Sequence, residues 1–133
     1  MFRMNPRIKL YLSTESVEGV FGGGKWRLLN AVKEHGSLQQ AAASLGRSYR
    51  KAWGDIKKAE EGLGRKLVIK SRGGTSGGAT TLTCFAAGLL DAWDEHHREV
   101  ATCMEKSYRR HVLPLFERTG TAINSPDGQR NPL

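Results

Sequence analysis

Two glycines, ten residues apart, divide the most regular part of this sequence into three helical segments. Gly36 follows the first segment as a stop signal, and Gly46 ends the second after only about two turns. Ser37 and Ser48 stand where the second and third helices would need their N-caps. The predicted helices are Lys25–His35, Leu38–Leu45 and Tyr49–Gly62. A short helix followed by a tight turn and another helix predicts a helix-turn-helix arrangement.

The periodicity changes from helical to alternating after the third helix. Short runs at Leu67–Lys70 and Thr80–Leu82 flank the loop Ser71–Ala79, which contains four glycines. Two alternating runs around such a loop predict a β-hairpin, or wing. Ile8–Leu12 also alternates and predicts a short strand, whereas the glycine-rich stretch Ser13–Gly24 predicts a loop.

The predicted fold class is mainly α with a small β wing: a winged helix-turn-helix followed by a long C-terminal helix. Thr83 can cap this last helix, which meets no helix breaker until Pro114. We expect residues 1–83 to form the winged domain, 84–113 the long helix, and 114–133 a polar, disordered tail.

Positive charge is concentrated in the predicted winged domain. The formal charge of the chain is +8, but residues 1–83 hold 15 Lys or Arg against 6 Asp or Glu. Between Arg47 and Arg72 alone there are nine basic and three acidic residues. Such an imbalance favours an anionic partner, either nucleic acid, an acidic protein or a membrane surface.

The third helix is predicted to be amphipathic. At about 100° per residue, one face collects Ala52, Trp53, Ile56, Ala59 and Leu63. The opposite face collects Arg50, Gly54, Lys57, Lys58 and Glu61, with Lys51 at its margin and Arg47 just before the helix. The first turn of a recognition helix usually meets base edges, so Arg50 and Lys51 are the candidate base-reading residues. Lys57 and Lys58 are better placed for phosphates.

The last helix is too long for the winged domain to cover alone. Residues 84–112 would span about 43 Å. Apolar or small side chains recur on it close to a heptad spacing, at Ala86, Leu89, Leu90, Trp93, His97, Val100 and Met104. A second copy of the chain is the simplest partner for this stripe, which predicts a homodimer; the alternative is a helix folded back onto its own domain.

Other site chemistries have little support. Gly19–Lys25 matches the first seven positions of a P-loop, but Trp26 stands where the magnesium-binding Ser or Thr is required. Cys84 and Cys103 have no cysteine at zinc-ligand spacing. We expect no enzyme, no cofactor, no metal site and no membrane span, and a cytoplasmic protein.

The stretch HGSLQQAAASLGRSYRKAWGDI (His35–Ile56), with the later GGTSGGATTLT (Gly73–Thr83), resembles the N-terminal DNA-binding domain of ModE-type, molybdate-responsive regulators. That domain is related to the LysR-type winged helix. The resemblance extends from about Ile8 into the early part of the last helix. ModE regulators continue into oxyanion-binding, molbindin-like domains with no counterpart here, so we carry over no molybdate site.

This resemblance implies which residues lie at the DNA surface. On the helices they are Ser37, Ser48, Tyr49, Arg50 and Lys51, and in the wing Arg72, Thr75 and Ser76. The sequence therefore predicts a homodimeric transcription regulator that binds double-stranded DNA, with an inverted repeat as its target and no identifiable effector. The alternatives are a non-specific architectural DNA-binding protein and a basic module for RNA or an acidic protein.

Overall fold

The structure, a computed structural model, describes residues 4–71 and 78–121 of the chain. The chain divides into two compact units. One is Lys9–His96, and the other combines Met1–Ile8 with His97–Leu133. The predicted wing residues Arg72, Thr75 and Ser76 lie outside the described residues.

Three helices form the helix-turn-helix part of the first unit, and their ends follow local capping chemistry. They are α1 (Gly23–His35), α2 (Leu38–Ser44) and α3 (Tyr49–Leu63). The Ser37 hydroxyl accepts the amide of Gln40 at 3.2 Å, and the Ser48 hydroxyl accepts the amide of Lys51 at 3.1 Å. Gly36 ends α1 at φ +69°, a left-handed conformation that favours glycine. The predicted caps and stop are therefore confirmed.

Two small antiparallel sheets complete this unit. Strand β1 (Tyr11–Leu12) pairs with β2 (Phe21–Gly22), and β3 (Val68–Ser71) pairs with β4 (Ala79–Leu82). The second pair is the predicted wing. The prediction of a loop over residues 13–24 was wrong at its end, because Phe21–Gly22 forms a strand and α1 begins at Gly23.

Side chains and backbone groups attach the wing to the helices. The buried Glu60 carboxylate on α3 accepts the amides of Leu67 and Val68 at 2.8 and 3.4 Å. On β4, Thr80 donates its amide to the Gly36 carbonyl at 2.9 Å, and its hydroxyl accepts the amide of Leu38 at 3.2 Å. The strands are thereby fixed against the start and end of the helical segments.

The core lies between the three helices, the wing and the start of the last helix. Its largest fully buried side chains are Phe21, Leu28, Leu29, Leu38, Ile56, Leu67, Val20 and Val32. The ring of Trp93 packs edge-on against Phe21, with centroids 5.1 Å apart. The predicted fold class, mainly α with a β wing and a long C-terminal helix, is confirmed.

The C-terminal helical segment extends further than predicted. Helix α4 (Cys84–Ser107) leads into one π-helical turn (Tyr108–Val112) and then α5 (Leu113–Thr121). The prediction of a disordered tail from residue 114 was wrong for residues 114–121. Pro114 is the second residue of α5, directly after the π-helical turn.

The second unit joins the N-terminal residues to the end of the helical segment. The Tyr108 hydroxyl donates to the Met4 carbonyl at 3.4 Å. Along the described ranges of the chain, no helix combines the length and the apolar character that crossing a bilayer requires.

Candidate nucleic-acid interface

Helix α3 presents a cationic face to solvent and an apolar face to the core. Ala52, Ile56 and Ala59 are buried, and the outward residues Arg50, Gly54, Lys57, Lys58 and Glu61 are all exposed. Because Ser48 caps the helix start, Arg50 and Lys51 are held in its first turn. The helix thus offers a protruding basic surface on a rigid support, as recognition of DNA requires.

The wing contacts one flank of α3 through Lys70. This lysine was not among the residues that the sequence predicted for the site. The ammonium of Lys70, on β3, lies over the rings of Tyr49 and Trp53, 5.1 and 4.8 Å from their centroids. It also donates to the Tyr49 hydroxyl. Lys57 lies over the same Trp53 ring at 5.5 Å. These cation–π contacts connect β3 to the start of the recognition helix.

A polar cleft of about 270 Å³ opens between this flank and the start of α2. Ser37, Tyr49, Lys70 and Thr80 are among the residues that line it, and none of its described lining residues is acidic. The Ser37 hydroxyl accepts a hydrogen bond as the α2 cap, which leaves its proton for donation to a ligand. The cleft can therefore hold an anionic group.

The other flank of α3 contains an ion-pair cluster. The Asp55 carboxylate receives Lys51 at 3.0 Å and Arg47 at 3.6 Å. Arg47 also donates to the Gly24 carbonyl at 3.3 Å. Arg47, one of the predicted DNA-binding residues, is half-buried and connects the turn between α2 and α3 to α1.

The remaining predicted DNA-surface residues are brought together on one side of this unit. Tyr49, Arg50, Lys51, Lys57 and Lys58 are exposed on α3, and Ser48 is exposed at its start. Ser37 is half-buried at the start of α2. The predicted wing contacts at 72, 75 and 76 fall in the gap between the described ranges.

The predicted dimer stripe needs a correction. Ala86, Leu90 and Trp93 are 0%, 3% and 5% exposed within a single protomer. They pack into the core of their own winged domain, so they have no surface to offer a second copy; Leu89 is half-buried against the same core. Of the other stripe residues, Val100 and Met104 are half-buried and His97 is exposed.

The histidine pair and the cysteines on α4 form no cluster. The His96 ring packs edge-on against Trp93 at 5.7 Å, and both cysteines are free and exposed. Across residues 4–71 and 78–121, no group of three or more His, Cys, Asp or Glu is placed to hold a metal ion.

Sequence reasoning missed Lys70, Lys25 and Asp55 as parts of this surface. The alternating pattern gave Lys70 an exposed position on a strand, but nothing in it indicated which helix the side chain would meet. In the sequence, Asp55 is one of three acids in a basic region. Lys25 belongs to an incomplete P-loop pattern, and its proximity to Asp55 and Lys58 on α3 depends on how α1 packs.

Taken together, the capped third helix, the attached wing and the basic surface define a winged helix-turn-helix domain. Residues 24–86 match the family of bacterial regulatory helix-turn-helix proteins, lysR family. This part of the chain is therefore similar in sequence to the LysR-type helix-turn-helix domain. The matched family is described as one of bacterial regulatory proteins.

The curated relatives are ModE-like, as the sequence motif implied. The transcriptional regulator ModE of Haemophilus influenzae is 37% identical over 68 residues, 51% of this chain and 27% of that protein. The molybdenum transport protein ModE of Herbaspirillum seropedicae is 38% identical over 71 residues, 53% of this chain and 26% of that protein. The molybdenum-pterin-binding protein MopA of Rhodobacter capsulatus is 36% identical over 69 residues, which are 52% of this chain and 26% of that protein.

The chain thus matches about a quarter of the length of these relatives. Among solved structures, the crystal structure of ArgP from Mycobacterium tuberculosis is 22% identical, with a TM-score of 0.46 over 64% of this chain and 30% of that one.

Proposed function

We propose that this protein is a transcription regulator that binds double-stranded DNA sequence-specifically as a homodimer, inserting α3 into the major groove. The observation that carries the proposal is the exposed outward face of α3. Arg50, Lys57 and Lys58 lie on this face near Gly54, and all four residues are exposed to solvent. A helix of this diameter fits the major groove, and its cations match the phosphate and guanine acceptors there.

Arg50 is the best candidate for reading bases. It is exposed in the first turn of α3, and it has no ion pair among the described residues. Lys51 lies beside it but already pairs with Asp55. Arg50 can donate two parallel hydrogen bonds to guanine O6 and N7, which gives it both energy and geometric selectivity. Lys57 and Lys58 would contact phosphates further along the groove.

The wing would contact the DNA backbone or minor groove beside the helix. The cation–π contacts of Lys70 with Tyr49 and Trp53 support this role, because they hold the base of the wing against α3. The resemblance to ModE regulators adds Arg72, Thr75 and Ser76 as backbone contacts.

The homodimer is proposed through the second unit only. Val100 and Met104 remain half-buried in the single chain, and Val112, Leu115 and Phe116 are 41%, 38% and 45% exposed. Apolar side chains left this accessible in a monomer favour a second copy of the chain as their partner. Sedimentation equilibrium at micromolar concentration should give a dimer mass, and Val100→Glu should shift it to the monomer; a monomeric wild-type chain would overturn this part.

Selection of bound duplexes from a random-sequence pool tests the DNA-binding proposal. At about 150 mM salt, non-specific phosphate binding is suppressed and sequence preference can emerge. We expect an enriched inverted repeat, because a two-fold dimer presents two α3 helices to two half-sites. Binding without enrichment would instead support a non-specific architectural protein, and no binding to any duplex would contradict the proposal.

A further inference from the structure

A second basic site lies beside α3, on the side away from Lys70. Lys25 lies close enough to Asp55 and to the cations Arg47, Lys51 and Lys58 to interact with them electrostatically; we refer to the four cations as the Lys25 cluster. Asp55 pairs directly with Lys51 and Arg47 at 3.0 and 3.6 Å. Arg47 reaches the Gly24 carbonyl of α1, which brings the start of α1 to the flank of α3.

The charges in this cluster do not balance. One carboxylate faces four cations, so the site carries an excess of about three positive charges. The pKa of Lys25 is lowered, first by its partial burial and then by the nearby cations Lys58, Lys51 and Arg47, while Asp55 acts in the opposite direction. The ammonium of Lys25 is fixed by a hydrogen bond to the Gly19 carbonyl at 3.4 Å rather than by an acid.

We infer that the Lys25 cluster binds a phosphate group of the DNA backbone, at the edge of the major groove that α3 enters. This inference rests on the proposed function. A phosphodiester supplies the negative charge that the cluster lacks, and the four cations come from three separate chain segments.

The location explains why this contact would position the protein rather than read sequence. Lys70 holds the wing on one flank of α3, and the Lys25 cluster occupies the opposite flank. Because the major groove is bounded by a phosphate backbone on each side, basic groups on both flanks would fix α3 between the two strands. The sequence analysis already placed Arg47, Lys51 and Lys58 on the basic surface; the contact from Lys25 on α1 is the new one.

A matched pair of lysine variants on α1 tests the inference. Lys25→Gln should weaken binding of the full chain to a random duplex of about 20 bp by about five- to tenfold at about 100 mM salt. It should also reduce the slope of log K against log[salt] by about 1.8, because each protomer of the dimer loses one phosphate contact worth about 0.9. Lys33→Gln removes the same charge from the exposed opposite end of α1 and should change neither quantity beyond a small uniform effect.

Two further variants separate a phosphate contact from a folding defect. Lys25→Arg preserves the cation and should retain the wild-type salt slope. Asp55→Asn removes the only carboxylate of the cluster, so it should tighten binding to random and selected duplexes alike, several-fold, and steepen the salt slope. A variant that merely loses structure cannot bind more tightly, so this gain identifies the electrostatic cause.

Inorganic phosphate distinguishes a backbone phosphate from a free oxyanion. When phosphate replaces chloride at constant ionic strength, the melting temperature of the unbound wild-type chain and that of Lys25→Gln should shift by the same amount, within error. A phosphate-dependent rise in melting temperature that Lys25→Gln abolishes, with DNA binding unchanged, would overturn the DNA assignment.

Equal salt slopes for Lys25→Gln and Lys33→Gln would overturn it as well. A wild-type chain that binds no duplex would overturn both the inference and the proposed function, whereas normal wild-type binding with those equal slopes would overturn the inference alone.

Discussion

The two faces of α3 are built on opposite principles. Toward the core, the helix uses small or apolar side chains, Ala52, Ile56 and Ala59, which are between 0% and 2% exposed. Toward solvent, long cations stand beside Gly54, around which the structure leaves open space. Burial of apolar area on the inward face stabilises the fold. The outward face carries positive charge that becomes stabilising only when an anion binds. Substitutions on one face should therefore change folding, and those on the other should change DNA binding.

The glycines of α3 make the same comparison at the level of one atom. A Cβ added to Gly62 would lie 2.7 Å from the Val20 Cβ, whereas a Cβ added to Gly54 would meet nothing within 4 Å. Gly62 is therefore required by packing inside the unit. Gly54 has no such requirement in the free protein.

Ile56→Ala should give the largest effect on folding. Ile56 is 2% exposed in the core, so truncation removes buried methyl groups and leaves a cavity. We expect the free energy of unfolding to fall by about 3 kcal/mol. Urea unfolding followed by circular dichroism measures it. Lys58→Ala on the outward face of the same helix is the control and should change stability by no more than about 0.5 kcal/mol; equal losses would remove the distinction between the faces.

Gly62→Ala should destabilise the fold by about 2 kcal/mol. Overlap with the buried Val20 costs up to about 3 kcal/mol, and the better helix propensity of alanine returns about 1 kcal/mol. The same unfolding experiment checks this value. In the double variant with Val20→Ala, the γ-carbons are removed, including the one that overlaps most, so the combined loss of stability should be clearly smaller than the sum of the two single losses. Strict additivity would show that the overlap is not the cause.

Much of this arrangement could be predicted because it is encoded locally. Ser37, Ser48 and Gly36 mark helix ends through hydrogen bonds and backbone angles that involve only a few neighbouring residues. The amphipathic pattern of α3 separated its buried from its exposed residues for the same reason. Such signals survive in a single sequence since they need no knowledge of tertiary packing.

The parts that could not be predicted depend on contacts between distant segments. Lys70 meets Tyr49 across 21 positions, and Arg47 meets Gly24 across 23. The heptad-like stripe on α4 was assigned to a partner chain, yet Trp93 packs on Phe21 of its own core. An apolar stripe indicates that a helix face is covered, but it does not indicate whether the same chain or a partner chain covers it.

Arg50→Ala should separate sequence reading from general affinity. Loss of a bidentate contact should remove about 1.5 kcal/mol of discrimination at one base pair of each half-site, while affinity for random duplex falls much less. Lys58→Ala should instead weaken selected and random duplexes by the same factor. Fluorescence anisotropy with both duplexes measures the ratio. If Arg50→Ala lowers both affinities equally, its role is that of a phosphate contact.

Gly54→Ala should have only a small effect on folding, and it should separate the two faces most clearly. The substitution meets no atom in the free protein, so the improved helix propensity should raise the free energy of unfolding by about 0.5–1 kcal/mol. The added methyl group would, however, stand between Arg50 and Lys58 at the surface that approaches DNA. A close helix–DNA contact leaves no room for it, so affinity for the selected duplex should fall although the protein is more stable. Because the fold gains stability, weaker binding could not be attributed to unfolding. Unchanged affinity would show that α3 is held away from the groove floor at this position, and it would leave Gly54 without a role on the outward face.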